Sequence, residues 1–153
     1  MDVFLDTGFI LSLLIETDKT EIARKFFDNF DRTKSSLITS ISVYEETFYV
    51  GIRMIAEDRL GIRNPYSLRD YIKRNGYDFA DDYLDNMREV FDFLRVVNDT
   101  ENLKVVETMA KNYRLLPNDA LIAATCKHYG IKKIATFDDD FKRVDFLEIV
   151  KMK

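Results

Sequence analysis

Short apolar runs of strand length alternate with longer stretches of helical periodicity along most of this 153-residue chain. The strand candidates are residues 2–5, 35–39, 133–136 and 146–150. An amphipathic helix is predicted over residues 20–31, where Ile22, Phe26 and Phe30 recur at every fourth position. Strands separated by helices predict a parallel sheet that is covered by helices on both faces. The pattern therefore indicates the α/β class.

The middle of the chain is richer in helix than in strand. A long helix is predicted to begin near Ile41, and further amphipathic helices are predicted around residues 84–97 and 103–110. Residues 59–77 contain Gly61, Pro65 and Gly76, and they predict a broken helix or a loop. We expect one domain over residues 1–153, with a helical extension at about residues 53–112.

Cysteine usage and hydropathy exclude several classes of protein. A single cysteine, Cys126, permits neither an intrachain disulfide nor a thiolate zinc site. No apolar run approaches the roughly 20 residues that span a bilayer, and the N-terminus lacks the pattern of a secretory signal. We therefore expect a cytoplasmic protein with no membrane association.

Acidic residues occur in four separated stretches, each at the end of a predicted strand or the start of a predicted helix. These acids are Asp6, the pair Glu45 and Glu46, Asp119, and the run 138–140. In parallel α/β folds the functional crevice lies beyond the carboxyl ends of the strands, so we expect the acids to converge there. Carboxylates without cysteine or histidine hold hard cations such as Mg²⁺ or Mn²⁺. This pattern favours metal-assisted cleavage of a phosphodiester.

Each acid taken alone has a simpler structural interpretation. Asp6 could end a strand in a turn, and Asp119 could interact with a helix dipole. A phosphatase with Asp6 as nucleophile is disfavoured, because Gly8 occupies the position where a second aspartate is needed. The net charge of −4 argues against non-specific coating of nucleic acid. Residues 51–76 nevertheless carry six basic side chains against three acidic ones, which indicates either a phosphate-binding surface or a solvated helical face.

Four segments of the chain together resemble the successive motifs of the PIN domain, in the same order. They are residues 4–7 (FLDT), 40–50 (SISVYEETFYV), 117–124 (PNDALIAA) and 135–141 (ATFDDDF). The sequence is similar in particular to ribonuclease toxins of the VapC type. This resemblance implies a three-layer α/β/α sandwich with a central parallel sheet and a metal-dependent ribonuclease site. The segment at residues 53–112 is longer than in the compact toxins.

The resemblance also implies a role for each acid. Asp6, Asp119 and Asp138 correspond to the first, third and fourth catalytic and metal-binding acids, with Asp140 as an accessory metal ligand. We favour Glu46 as the second acid, because the family has a small or apolar residue just after its glutamate. Glu45 stays as the alternative.

The sequence also suggests roles for two threonine hydroxyls, and the family resemblance implies a cofactor, a substrate and protein partners. Thr7 and Thr136 could contact a metal-bound water or a phosphate, or simply serve as a helix cap and a strand end. The resemblance implies a Mg²⁺- or Mn²⁺-dependent endoribonuclease that cleaves single-stranded RNA, with a small antitoxin protein as a partner if the chain is a toxin. We also expect a homodimer. The alternative is a catalytically silent RNA-binding or regulatory module with the same fold.

Overall fold

The computed structural model describes residues 1–152 as a five-stranded parallel sheet with helices on both sides. The strands are β1 Val3–Leu5, β2 Leu37–Ser40, β3 Arg95–Val97, β4 Lys133–Ala135 and β5 Glu148–Ile149. The helices are α1 Thr7–Leu14, α2 Thr20–Asn29, α3 Ile41–Leu60, α4 Pro65–Asn75, α5 Asp81–Asp92, α6 Leu103–Tyr113 and α7 Pro117–Tyr129. Helices α1 to α5 pack against one another, and α6 packs against α7. The predicted three-layer α/β/α fold is confirmed.

The order of the strands places the centre of the sheet at the start of the chain. That order is β3-β2-β1-β4-β5, so the chain moves outward from β1 in one direction and then returns to its other side at β4. In the central register Phe4 lies opposite Ile38 of β2 and Ile134 of β4. Because β1 and β4 are the pair at which the direction reverses, their carboxyl ends open onto the crevice where such folds bind ligands.

The core of the protein surrounds β1, whose three residues are all buried. Phe4 and Leu5 are fully enclosed between the two helical layers, as are Phe9 and Ile10 of α1. A strand buried on both faces needs a continuous apolar run rather than an alternating one, which explains why Val3 to Leu5 contains no polar residue. Removing this apolar surface from water stabilises the elements that carry Asp6.

Strand β3 was not predicted. The apolar residues of α5 continue at helical spacing into Leu94 and Val97, so the pattern predicts one helix through residue 97. The helix instead ends at Asp92, and Arg95–Val97 pairs with β2 as an edge strand, with Val97 opposite Ser40. Only Val97 of the three strand residues is buried, which is why the strand leaves a weak signal in the sequence.

The segment at residues 59–77 is the broken helix rather than the loop, because α3 ends at Leu60 and helix α4 begins at Pro65. Asn64 caps this helix by accepting hydrogen bonds from the N–H groups of Tyr66 and Ser67 at 2.7 and 3.3 Å, and Pro65 occupies the first turn. A proline is favourable at that position because its missing N–H would have no partner within the helix. Leu68 is buried with Ile52 and Ala56 of α3 in a second, smaller apolar cluster.

Helix α7 has different kinds of residue at its two ends. Gly130 ends the helix in the left-handed conformation, with a φ of +69°. Asn118 lies inside the helix, and Leu116 occupies the N-cap position with no side-chain hydrogen bond. Within residues 1–152, no helix combines the length and the apolar character that a membrane crossing requires.

Candidate active site

A cleft of about 450 Å³ opens at the carboxyl ends of β1 and β4. Its lining includes one predicted acid from each of the four stretches, namely Asp6, Glu46, Asp119 and Asp138. Asp6 directly follows β1, Glu46 lies in the second turn of α3, and Asp119 lies in the first turn of α7. The convergence that was expected from the order of strands and helices is therefore present in the structure.

Asp6 is the most buried of the cleft acids, with 7% of its surface exposed. Its Oδ1 accepts a hydrogen bond from the Phe9 N–H at 2.9 Å, which makes Asp6 the N-cap of α1. Its Oδ2 accepts a hydrogen bond from the Thr136 hydroxyl. Burial raises the pKa of Asp6 to about 6, against the opposing effect of these two donors, and the nearby carboxylates of Asp119 and Asp138 add to the rise.

Thr136 connects the ends of the two central strands. Its Oγ1 donates to Asp6 and accepts a hydrogen bond from the Asp138 N–H at 3.0 Å. Because the Asp138 N–H already occupies one lone pair of Oγ1, the hydroxyl proton is directed to Asp6. Asp138 in turn accepts a hydrogen bond from the Asp140 N–H at 2.8 Å and caps the 3₁₀ helix Asp139–Arg143. Thr136 is therefore a buried strand-end residue that does not line the cleft itself and contacts the site through Asp6 and Asp138.

Three carboxylates form a tight group at one end of this arrangement. Asp119, Asp138 and Asp140 each offer one oxygen, and the three oxygens lie within 4.8 Å of one another. Burial, together with the charges of Asp138, Asp140 and Glu46, raises the pKa of Asp119 to about 6. Arg143 lies close enough to oppose this rise, and its Nη1 contacts Asp140 Oδ1 at 3.0 Å. The guanidinium therefore holds Asp140 in place, while the other two acids form no ion pair within residues 1–152.

The two adjacent glutamates occupy different environments. Glu46 is half-buried and lines the cleft, whereas Glu45 is exposed and does not line it. Burial and the neighbouring Glu45 charge both raise the pKa of Glu46, and the polar side chains of Thr7 and Asn118 act in the opposite direction. The geometry supports the choice of Glu46 over Glu45 as the acid that faces the site.

One buried hydroxyl in the cleft has no partner within the described residues. Thr7 Oγ1 is buried and forms no hydrogen bond of normal geometry, although it lies close enough to Glu46 to affect its pKa. Asp6, and not Thr7, caps α1. A buried polar group without a partner is costly, so this oxygen is available to a water or a ligand in the cleft.

Several residues that line the cleft were not identified from the sequence, among them Asp18, Lys19 and Asn118. Lys19 is the one cation that lines the cleft in the described chain, and its ammonium lies 5.7 Å from the centre of the Phe137 ring. No spacing or motif pointed to it. Asn118 lines the cleft next to Asp119. His128 is exposed near the end of α7 and Cys126 is buried in the core, so neither lines the cleft.

Comparison with known proteins identifies the family. A sequence model of the PIN domain matches residues 3–147, which is nearly the whole chain. The chain belongs to the PIN domain family. The chain is similar to Ribonuclease VapC6 of Methanocaldococcus jannaschii, with 34% identity over 98% of this chain and 97% of that protein. The resemblance found in the four motifs is therefore confirmed.

Solved PIN domain structures share the architecture at lower sequence identity. VapC20 of Mycobacterium tuberculosis, described as a toxin that cleaves the sarcin-ricin loop, superposes with a TM-score of 0.63 at 19% identity and covers 95% of this chain and 97% of its own. VapBC2 of Rickettsia felis, bound to a promoter DNA fragment, has a TM-score of 0.62 at 14% identity and covers both chains completely. At these identities the comparison establishes the fold.

Proposed function

We propose that this PIN domain is a divalent-cation-dependent endoribonuclease that cleaves phosphodiester bonds in single-stranded RNA. The observation that carries the proposal is the convergence of Asp6, Glu46, Asp119 and Asp138 in one cleft, from four stretches that are far apart in sequence. Carboxylates with raised pKa values, gathered at the crevice of an α/β sheet, are typical of a functional site rather than of a stabilising ion-pair network. The name of the M. jannaschii relative supports the same activity.

The donor set fits a hard divalent cation. Asp119, Asp138 and Asp140 offer oxygen atoms only, and the three are close enough to surround one ion. Mg²⁺ and Mn²⁺ both meet this description, and we propose one of the two. When bound, such a cation activates a water and stabilises charge on the phosphate oxygens.

The remaining residues of the cleft hold and orient these groups. The Phe9 N–H and the Thr136 hydroxyl fix both oxygens of Asp6. We assign Asp6 and Glu46 to the positioning of the cation and of the attacking water, with Thr7 Oγ1 as an additional contact for that water or for a phosphate oxygen. Glu46, with its raised pKa, is suited to accept a proton from the water.

We extend the proposal to partners. The VapC-like character favours a toxin that is inhibited by a small antitoxin protein. Self-association into a homodimer would lengthen the surface available to single-stranded RNA, and a monomer in light scattering at working concentration would rule it out. A cytoplasmic location is in keeping with the buried, unpaired Cys126.

The test is cleavage of a labelled single-stranded RNA by the wild type and by Asp119→Asn, each with Mg²⁺, with Mn²⁺ and with EDTA. Asn has the shape of Asp but lacks its charge, so we expect the variant to remain folded and to lose at least about 10²-fold in rate. EDTA should abolish cleavage by the wild type. Cation-independent cutting, or full activity in the variant, would contradict the proposal. Binding of RNA without cutting under any condition would favour the silent RNA-binding module.

A further inference from the structure

A groove lies between α3 and α4, and its first residue on α3, Tyr49, lies three residues beyond the cleft acid Glu46. Glu46, Tyr49 and Arg53 recur at helical spacing on one face of α3, so Arg53 lies about 10 Å along the helix axis from the cleft acid. Tyr49 and residues of α4 line a groove of about 420 Å³, and Arg53 lines the adjoining hollow, which shares Pro65 and Leu68 with it. We define the Tyr–Arg surface as Tyr49, Arg53, Tyr66, Arg69 and Lys73.

The cations of the Tyr–Arg surface have no acidic partners. Arg53, Arg69 and Lys73 form no ion pair within residues 1–152, whereas the neighbouring Arg63 is paired with Glu57 at 3.4 Å. Arg69 and Lys73 line the groove and Arg53 lines the adjoining hollow, so three positive charges without an ion pair occur on this part of a protein whose net charge is −4. Such a patch attracts an anionic partner, in contrast to the cleft, which needs a cation.

The aromatic rings of the same surface are exposed and held next to its cations. The Arg53 guanidinium lies 5.5 Å from the centre of the Tyr49 ring, and the Arg69 guanidinium lies 5.9 Å from that of Tyr66. Tyr66 is 72% exposed and Tyr49 is 41% exposed. Exposed rings alternating with basic side chains are the combination that binds single-stranded nucleic acid, because unpaired bases stack on the rings while phosphates meet the cations.

We propose that the Tyr–Arg surface binds the part of a single-stranded RNA that extends beyond the cleaved phosphodiester. This inference rests on the proposed ribonuclease function and identifies the residues that hold its substrate. An apolar peptide helix would cover the rings but leave the three cations unused, whereas RNA uses both. The surface extends along α3 from Tyr49, within one helical turn of Glu46, to Arg53, about two turns away, so an RNA of several nucleotides is needed to occupy the cleft and the whole surface at once.

The test measures binding separately from cleavage. A labelled single-stranded RNA is titrated by fluorescence anisotropy in Mg²⁺ against Asp119→Asn, and against the same protein carrying Tyr66→Ala and Arg69→Ala. We expect binding to weaken at least about tenfold, since one stacked base and one phosphate contact are lost. Tyr66→Phe keeps the ring and should bind as the parent does. Arg69→Ala alone should reduce the slope of log K against log salt by about 0.7.

A matched control removes the same charge from another part of the molecule. Arg95 is exposed on edge strand β3, lines a different hollow together with Met1 and Lys132, and forms no ion pair among the described residues. Arg95→Ala should leave RNA binding within about twofold of the parent. Equal losses from Arg95→Ala and Arg69→Ala would overturn the inference, because they would indicate a general effect of net charge.

Substrate length provides the second readout. In the otherwise wild-type protein, Tyr66→Ala with Arg69→Ala should slow cleavage of a long RNA and leave cleavage of a very short one unchanged. If the double variant binds RNA normally while the wild type cleaves it, the inference is wrong and the proposed function stands, and the surface would then suit a protein partner. If RNA binding depends on the surface but the wild type never cleaves, the binding inference stands and the proposed ribonuclease function is wrong. Failure of the parent to bind RNA would overturn the inference as well.

Discussion

Aspartates in two regions of this molecule experience opposite surroundings. In the cleft, burial and neighbouring carboxylates raise the pKa values of Asp6 and Asp119 to about 6. In the helical layer, Asp82 receives two hydrogen bonds from Arg59 at 2.8 Å each, which lower its pKa to about 2. The cleft acids repel one another, and a bound cation would offset that repulsion. The charge of Asp82 is instead offset by the Arg59 guanidinium.

This difference shows how the fold separates stability from function. Arg59 of α3 also donates to the Phe79 carbonyl, so one guanidinium joins α3 to the segment that leads into α5. Among residues 1–152, Asp119 forms no ion pair, and Lys19, the one cation of those residues that lines the cleft, lies over an aromatic ring. The helical layer therefore stabilises the chain, and the carboxylates that it leaves uncompensated are the ones available for chemistry.

The largest effect on the cleavage rate is expected from replacing Glu46, which differs from its neighbour Glu45 in environment and not in residue type. Glu46→Gln should lower the cleavage rate by about 10²-fold or more, because it removes a cleft carboxylate that can accept a proton. Glu45→Gln should leave the rate within about twofold, because Glu45 faces solvent outside the cleft. Parallel cleavage assays, with circular dichroism to verify folding, make the comparison. The reverse ranking would identify Glu45 as the second acid.

The next effect is the response of the cation-free protein to pH. Between about pH 4 and pH 6 the folded Asp6 and Asp119 still bind protons that the unfolded chain has released, so the free energy of unfolding should fall as the pH rises. Asp6, being buried, can account for about 3 kcal/mol of this fall. Urea denaturation in EDTA across this range measures it, and Mg²⁺ at neutral pH should restore the loss.

A matched variant isolates the contribution of the cleft to that response. Asp119→Asn removes one of the repelling charges without removing any hydrogen bond found among the described residues. In EDTA, the free energy of unfolding of this variant should depend less on pH than that of the wild type. Mg²⁺ should also stabilise the variant less. A wild type that becomes steadily more stable from about pH 4 to neutral pH would show that other titrating groups outweigh the repulsion in the cleft.

These results also show which parts of the molecule were open to prediction from sequence. Asp6 and Asp138 were placed correctly because each follows a buried strand, and the hydrophobic pattern of a buried strand is strong. Strand β3 was missed, because the edge strand buries only one side chain. For residues 59–77 the glycines and the proline left a broken helix and a loop open as alternatives, and the structure has the broken helix. Asn64 followed by Pro65 is a helix start signal that indicates where α4 begins.

The contribution of Lys19 illustrates what a sequence pattern does not contain. Its place in the cleft depends on how the segment before α2 folds back across α1, and Thr20 fixes that turn through hydrogen bonds to Thr17 and Ile15. Such contacts involve the three-dimensional path of a loop rather than any periodicity. The choice between Glu45 and Glu46 also depends on three-dimensional structure. Successive residues point about 100° apart around the axis of α3, so the orientation of the helix decides which carboxylate faces the cleft.

A smaller effect is expected from the packing of α5 on α3. A Cβ added at Gly51 would lie 2.0 Å from Tyr83 Cζ, and the Tyr83 hydroxyl is held by a hydrogen bond to the Thr47 carbonyl at 2.8 Å. Gly51→Ala should therefore destabilise the protein by about 2 kcal/mol, although alanine in a helix is normally favoured by about 1 kcal/mol. Denaturant unfolding measures whether the free energy of unfolding falls or rises. Combining Gly51→Ala with Tyr83→Leu should remove most of the loss caused by the clash. An increase in stability from Gly51→Ala alone would contradict a steric clash with Tyr83.

The smallest effect should come from the Arg59 contacts, and its dependence on pH has the opposite sign to that of the cleft. Arg59→Met should lower the Tm by a few degrees at neutral pH. Since the pKa of Asp82 is lowered, the contribution is present above about pH 4 and is lost as the pH falls toward 2, so the variant and the wild type should converge there. Arg88→Met, which breaks a single contact to Asp85 within α5, is the control and should leave the Tm unchanged. Equal effects from the two variants would mean that the Arg59 contacts contribute nothing specific between helices, and the stability of that layer would then depend on its apolar cluster alone.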